Sequence, residues 1–384
     1  MSAPQIFEAG AIRCAIGFED LVDPVAGALA AFSRGLGASP LAVFAPAGPD
    51  GDVHVKSAWL PGRPVFTVKV AAWFAARAAR GLPGGSGYVA VHDAATGDLL
   101  ALLQDEHHLS DVRTAAAGAL AARLLAPRDA RTLAVLGTGV QAYLQALAAI
   151  AERPIDTVLV WGRRAGAART LRAAISARAP RVTATVVANA REAVRLADVI
   201  VTATSSRRPI VAGSWLRPGQ HVTAVGADDA TKAELDPECF RRADLLVVDS
   251  RADAPVHAGD LRAALAAHAV TEAGIGAELG DLVPDGHARR SGTQITVAKL
   301  IGLGVQDLAA AETVLPRLTA ATPPEAGTAP PASILDLHRT PEASAAQRET
   351  VKAASGSRRS GSPSCGPRRS ARAARTSGPP PWSR

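Results

Sequence analysis

The apolar positions of this chain follow two rhythms. Over residues 18–32 they recur at helical spacing, and Ser33-Arg-Gly-Leu-Gly37 closes the element. Short strand-like pieces follow at 41–45, 52–59, 65–71, 87–93 and 99–103. Turn signals such as Pro61-Gly62 and Thr96-Gly97-Asp98 separate them, and together they predict a small antiparallel sheet. From residue 111 the pattern changes. An alanine-rich helix over 111–125 leads into the buried strand Thr132–Leu136, a glycine turn, and a helix over 141–151. Strands at 157–161, 183–187, 199–202, 221–225, 245–249 and 295–298 then alternate with helices at 165–179, 190–196, 237–243, 260–267 and 300–313. That alternation predicts an open, doubly wound parallel sheet with helices on both faces. After about residue 318 no rhythm survives.

Strand, glycine turn, helix is the context in which Gly137-Thr-Gly139-Val-Gln-Ala142 reads as a dinucleotide site. The glycines let the backbone turn tightly and approach a pyrophosphate, which sits on the unpaired N–H groups of the helix start. An NAD-preferring site usually presents an acid at the end of the second strand. Here that turn is Trp161-Gly162-Arg163-Arg164, with no acid until Glu192. Two guanidiniums suit a 2′-phosphate, so NADP(H) is favoured with NAD(H) the alternative. A solvated loop bearing two surface arginines is the plainer reading.

Composition changes this picture in two ways. Of 384 residues 48% are hydrophobic but only 4% aromatic, which predicts a core of small aliphatic side chains. The net charge of +7 invites a nucleic-acid reading until it is located: residues 321–384 hold ten Lys/Arg against four acids. All but one unit of the excess therefore belongs to that Pro/Ser/Arg-rich tail, which predicts disorder rather than a nucleic-acid surface. No apolar run of about 18 residues exists for a membrane span. Three scattered cysteines (Cys14, Cys239, Cys365) and an N-terminus without a basic region predict a cytoplasmic protein. The adjacent His107 and His108 read as a solvated turn rather than metal ligands, and no metal site is expected.

Three polar residues are out of place. Lys69 stands inside the apolar Val65–Ala71, where an unpaired ammonium costs several kcal/mol. Arg113 sits near a helix start, where a cation opposes the dipole. That placement hints at an anion ligand, with a salt bridge to Asp111 or Glu106 as the other explanation. Asp228 follows the strand over 221–225 on the ligand side of the sheet, as an acid/base group or as a helix N-cap ahead of 231–235.

These residues, with Asp111-Val-Arg113-Thr114, Asp198–Ser205 and Ile295–Asp307, make the chain similar to the ornithine cyclodeaminase/mu-crystallin family over about 6–318. The resemblance implies a Rossmann domain (117–304) and a dimerisation and substrate domain (1–116 with 305–320), working as a homodimer on amino or imino acids with NAD(P). It also implies roles. Lys69 would contact the substrate carboxylate and assist proton transfer, Arg113 would clamp that carboxylate, and Asp228 would be the acid/base group at the substrate nitrogen. Thr114, Gly137, Thr138, Gly139, Val140 and Gln141 would hold the cofactor phosphates. Thr202, Ala203 and Thr204 would line the cleft, with Val225 near the nicotinamide.

The chain departs from the cyclising members in one strand. Where they carry a glutamate for the distal amine, Val53-His-Val-Lys56-Ser57 is basic, and Leu41–Ala47 lacks the arginine often found there. A cationic side chain beside Lys56 would be repelled by roughly 1–4 kcal/mol. Lys56 is thus a substitute carboxylate ligand. The reading that follows is an NADP(H)-dependent reductase of a cyclic imino acid. The alternatives are a redox-neutral cyclodeaminase and a catalytically silent binding protein.

Overall fold

The computed structural model describes residues 3–80, 82 and 84–320. The tail from 321 onward, for which the sequence predicts disorder, lies outside the described residues.

The first sheet comprises β1 (Gln5–Glu8), β2 (Leu41–Phe44), β3 (Gly51–Ala58), β4 (Val65–Phe74), β5 (Gly85–Asp93) and β6 (Leu99–Gln104). Their order is β1-β6-β5-β4-β3-β2. All pairings are antiparallel except β1 with β6, which is parallel. That edge strand carries no alternation the sequence could signal, because three of its four residues are exposed. Helices α1 (Ala9–Ala15), α2 (Val22–Ser33), α3 (Ala75–Ala79) and α4 (His108–Leu125) accompany this part of the chain.

The remaining strands are β7 (Thr132–Leu136), β8 (Thr157–Trp161), β9 (Thr183–Val186), β10 (Val199–Thr202), β11 (Arg207–Val211), β12 (His221–Ala224), β13 (Ala233–Leu235), β14 (Leu245–Val248), β15 (Ala277–Glu278) and β16 (Thr296–Lys299). Between and after them run α5 (Val140–Glu152), α6 (Ala165–Arg178), α7 (Ala190–Leu196), α8 (Pro237–Arg241), α9 (Ala254–His257), α10 (Gly259–Ala266) and α11 (Gly304–Ala320). Eight strands form a parallel sheet in the order β15-β14-β16-β12-β10-β7-β8-β9, while β11 and β13 pair separately. The chain moves outward from β7 through β8 and β9, then returns to place β10 on the other side. The switch point between β7 and β10 is where such sheets bind nucleotides.

Two differences from the sequence reading bear on the site. The last helix begins at Gly304 rather than residue 300, because Gly302 is left-handed (φ 77) and ends β16 in a turn. The segment after Asp228 is not helical: β13 occupies its end, so Asp228 caps nothing.

The alanine bias has a physical use in α4. Ala115, Ala116, Ala117, Ala119, Ala121 and Ala122 are all buried, so over residues 115–122 the helix is apolar all round and packed on every side. It touches α2, α5 and α11 as well as β12 and β16. Small side chains permit those close approaches, and α4 thereby links the two sheets.

Candidate active site

Antiparallel pairing sets Lys56 of β3 directly opposite Lys69 of β4. The two-residue alternation puts both on the buried face of the sheet, against α11. Arg113 of α4 completes a group of three cations, each no more than 5% exposed. Burying them needs counter-charge, and α11 supplies it. Asp307 accepts from Arg113 Nε at 3.0 Å through Oδ1, and its Oδ2 lies 2.8 Å from Lys69 Nζ. Gln306 Oε1 accepts from Arg113 Nη1 at 2.6 Å, and Ser110 Oγ accepts from Lys69 at 2.9 Å. Lys56 donates to the carbonyls of Gly302 (2.6 Å) and Ile301 (3.2 Å). That loop is held in turn by the buried Asp249, which accepts the N–H groups of Ile301 and Gly302. Glycine is favoured at 302 by its left-handed backbone (φ 77), and an added Cβ would also crowd Arg113 Nη1 at 2.2 Å.

Arg113 therefore has neither partner proposed for it from the sequence. Glu106 pairs with Arg13, and Asp111 with His107. The cluster still carries more positive charge than Asp307 neutralises. The buried Gln306 Nε2 has no acceptor within it either. Burial, reinforced by the Arg113 charge, pushes the Lys69 ammonium down to about 7 and Lys56 down to about 8. For Asp307 burial opposes ionisation, but Arg113, Lys69 and Lys56 outweigh it and hold the carboxyl below its ordinary value.

Asp228 lies just beyond β12, half-buried, and pairs with Lys232 at 2.8 Å. Burial would raise its pKa, yet Lys232 and then His54 hold it well below the usual carboxylate range. The turn below it is capped by Asp229, which accepts from the N–H and hydroxyl of Thr231. The carboxylate of Asp228 opposes the lowering of both His54 and Lys56 of β3 electrostatically. His54 is buried, and desolvation pushes its imidazole down to about 4.

The nucleotide loop has the form the sequence predicts. Gly137 is left-handed (φ 137), and a Cβ there would lie 2.3 Å from the Ala203 carbonyl, so only glycine fits between β7 and β10. Gly139 caps α5, and a Cβ on it would meet nothing, leaving the helix start open. Thr138 packs over Gly162, Val140 begins α5, and Trp161 is half-buried. Arg163 and Arg164 are both exposed beside this loop. These residues fit a dinucleotide: an open helix N-terminus for the diphosphate, and guanidiniums where the second ribose of such folds lies.

Several side chains assigned to the cofactor are otherwise engaged. Gln141 Nε2 donates to the carbonyl and carboxylate of Asp111 (3.1 and 3.0 Å), leaving only its backbone for phosphate. Thr114 donates to the Ser110 carbonyl within its own helix. Thr202 and Thr204 donate to Glu234, which is fully buried and also accepts the N–H of Thr204 and of Gly226. Glu234 thus ties the ends of β10 and β12 together beneath the cleft, with Ala203 and Val225 buried beside it. Sequence reasoning missed Glu234 because a glutamate in Lys232–Leu235 reads as surface. It also gave no role to Gln306 or Asp307, which look like the exposed start of a helix. The two histidines are not a solvated turn: His107 pairs with Asp111, and His108 meets the Ile16 carbonyl at 3.2 Å.

A parallel sheet with a glycine loop at its switch point, facing a buried cationic cluster, defines an NAD(P)-dependent enzyme. The chain belongs to the ornithine cyclodeaminase/mu-crystallin family, whose model matches residues 4–322. Ketimine reductase mu-crystallin of Mus musculus is 32% identical over 298 residues, covering 77% of this chain and 90% of that protein. Among solved structures, Thermococcus litoralis Delta(1)-pyrroline-2-carboxylate reductase in complex with NADH and L-proline superposes with a TM-score of 0.78. It is 27% identical, covering 82% of this chain and 97% of the other. An archaeal alanine dehydrogenase dimer with bound NAD gives 0.75 at 28% identity, covering 83% and 96%.

Proposed function

We propose that this protein is an NADP(H)-dependent reductase of a small cyclic imino acid. The observation that carries the reading is the buried trio Lys56, Lys69 and Arg113, with its surplus positive charge and the acceptorless amide of Gln306. A carboxylate satisfies both at once, by charge and by forked hydrogen bonding. When bound, the nicotinamide supplies a hydride to the C=N carbon. The rest is the work of the chain's own groups. Arg113 and Lys69 hold the carboxylate and so fix the ring relative to the nucleotide loop. Asp228, kept ionised by Lys232, stabilises the protonated imine nitrogen electrostatically. As an ionised group it is a poor donor, so the proton role expected of it passes to Lys69, whose ammonium titrates near neutrality.

Lys56 argues against the cyclodeaminase. Two of its protons are committed to Ile301 and Gly302, so its charge is fixed in the site and disfavours a substrate with a distal ammonium. NADP(H) preference rests on Arg163 and Arg164. The homodimer rests on the outer face of the first sheet, where Tyr88 is 40% exposed and Leu100 38%, with Val70 and Leu102 alongside. We read 1–116 with 305–320 as the part that dimerises and binds substrate, and 117–304 as the nucleotide domain. No described helix is long and apolar enough to cross a membrane; the cytoplasm is our proposed compartment. Incubating the protein with NADPH and a five- or six-membered cyclic ketimine carboxylate tests the reading: cofactor is consumed. With ornithine, no ammonia is released.

A further inference from the structure

The pair His107–His108 is the motif left without a role, and the backbone that leads into it is unusual. Glu106 (φ 50) and His107 (φ 78) are the only consecutive non-glycine residues in the left-handed region among those described. Such conformations persist where surrounding structure enforces them, commonly at functional sites. Here the His107 ring packs over the start of β5, where a Cβ on Gly85 would lie 3.1 Å from its Cγ. Its Nδ1 is 3.2 Å from Asp111 Oδ1. The same Asp111 oxygen accepts from Gln141 Nε2 at 3.0 Å, so the nucleotide loop holds the carboxylate that holds the imidazole. With Nδ1 engaged, Nε2 has no partner among the described residues. At 31% side-chain exposure the ring reaches solvent, and it stands one helical turn before Ser110, which accepts from Lys69.

Lys69 poses the complementary problem. Its side chain is 3% exposed, so a proton given up there cannot be replaced directly from water. Its nearest groups are Asp307 and Ser110, and Ser110 is in the first turn of α4, three residues after His107. The charges that face His107 are Asp111 on α4, Asp105 on the preceding loop, Lys69 on β4 and Asp52 on β3. Burial opposes protonation of the ring, but Asp111 outweighs it and holds the imidazole above its ordinary value.

Resting on the imino-acid reading above, we propose that His107 is a relay residue that returns a proton from solvent to Lys69 after each reduction, with Asp111 as the residue positioning it. The steps balance without further electrons. An N–H bond forms on the substrate nitrogen as one breaks on the Lys69 ammonium, leaving a neutral amine. The His107 imidazolium gives its Nε2 proton to that amine through the Ser110 hydroxyl or a water, and bulk buffer restores the imidazolium.

The test uses His107→Gln and Asp111→Asn in the full chain, with two readouts. In turnover at saturating NADPH and cyclic imino acid, we expect His107→Gln to fall at least tenfold near pH 8. Its rate should then climb with added imidazole buffer, to which the wild type is indifferent. In the free protein labelled at histidine Cε1, the His107 resonance should titrate above 6.5, and Asp111→Asn should lower that midpoint. A wild-type rate in His107→Gln overturns the relay, as does a loss no buffer restores. A His107 titration indifferent to Asp111→Asn overturns it too, whether or not the enzyme turns over. A wild type inert toward every imino acid with both cofactors overturns the functional reading instead.

Discussion

Lys69 and Asp307 form an ion pair at 2.8 Å in which neither side chain is more than 3% exposed. Arg113 shares the same carboxylate from the central helix, so one aspartate on the last helix joins the first sheet, α4 and α11. Removing one partner of a buried pair strands the others, and typically costs about 3–5 kcal/mol. Asp307→Asn is expected to lose that much in denaturant unfolding. The carboxyl is held below its ordinary 3.8, so its contribution is complete above that pH and disappears as pH falls through the lower folded value. The variant should accordingly show a flatter acid limb than the wild type.

On the proposed reading, the same pair sets the pH dependence of reduction. Lys69 is pushed down to about 7, so it is an ammonium below that pH and an amine above. With Lys69 as donor, kcat/KM for imine reduction is expected to fall as pH rises through about 7. For the reverse oxidation, where Lys69 must accept a proton, it should rise over the same range. Lys69→Ala should abolish both directions. A rate flat from pH 6 to 9 removes Lys69 from proton transfer.

Cofactor choice is a separate matter, which we propose is decided at the turn after β8. Losing a charge-assisted hydrogen bond to phosphate costs about 1.5–3 kcal/mol, a factor of roughly 10–150 in affinity. Replacing Arg163 and Arg164 by alanine is expected to weaken NADPH by that factor and leave NADH nearly unchanged. Equal weakening of both nucleotides would show that the arginines serve general attraction only.

Beneath the cleft, Glu234 accepts four hydrogen bonds from Thr202, Thr204 and Gly226. Glu234→Ala leaves buried donors unsatisfied, at about 1–3 kcal/mol for each stranded group. The ends of β10 and β12 should then loosen, with KM for nucleotide rising more than kcat falls. Steady-state kinetics with each cofactor checks this.

Much of the nucleotide half was legible in the sequence because its signals are local. A strand, Gly137, Gly139 and a helix sit within twenty residues, and Arg163 and Arg164 replace an expected acid at the next strand end. Lys69 and Arg113 could be singled out for the opposite reason, each being a cation where burial or a helix dipole disfavours one, whereas Lys56 stood out only as a base where the resembling family carries a glutamate. What holds them was hidden. Asp307 and Gln306 lie far along the chain on a helix whose polar start looks exposed until it packs on β3 and β4. Glu234 and Lys232 were hidden likewise, since a carboxylate buried by strand ends elsewhere in the sheet leaves no periodic trace. The left-handed backbone at Glu106 and His107 carries no glycine to announce it.

The most direct test of the account is the fate of the hydride when the protein meets its two classes of candidate substrate. Absorbance at the nicotinamide band is followed with NADPH and a cyclic ketimine carboxylate, and in parallel ammonia is measured with NAD(P)+ and ornithine. The account predicts stoichiometric NADPH consumption in the first, lost in Arg113→Ala, and no ammonia in the second. Ammonia release from ornithine with no net change in cofactor would contradict it.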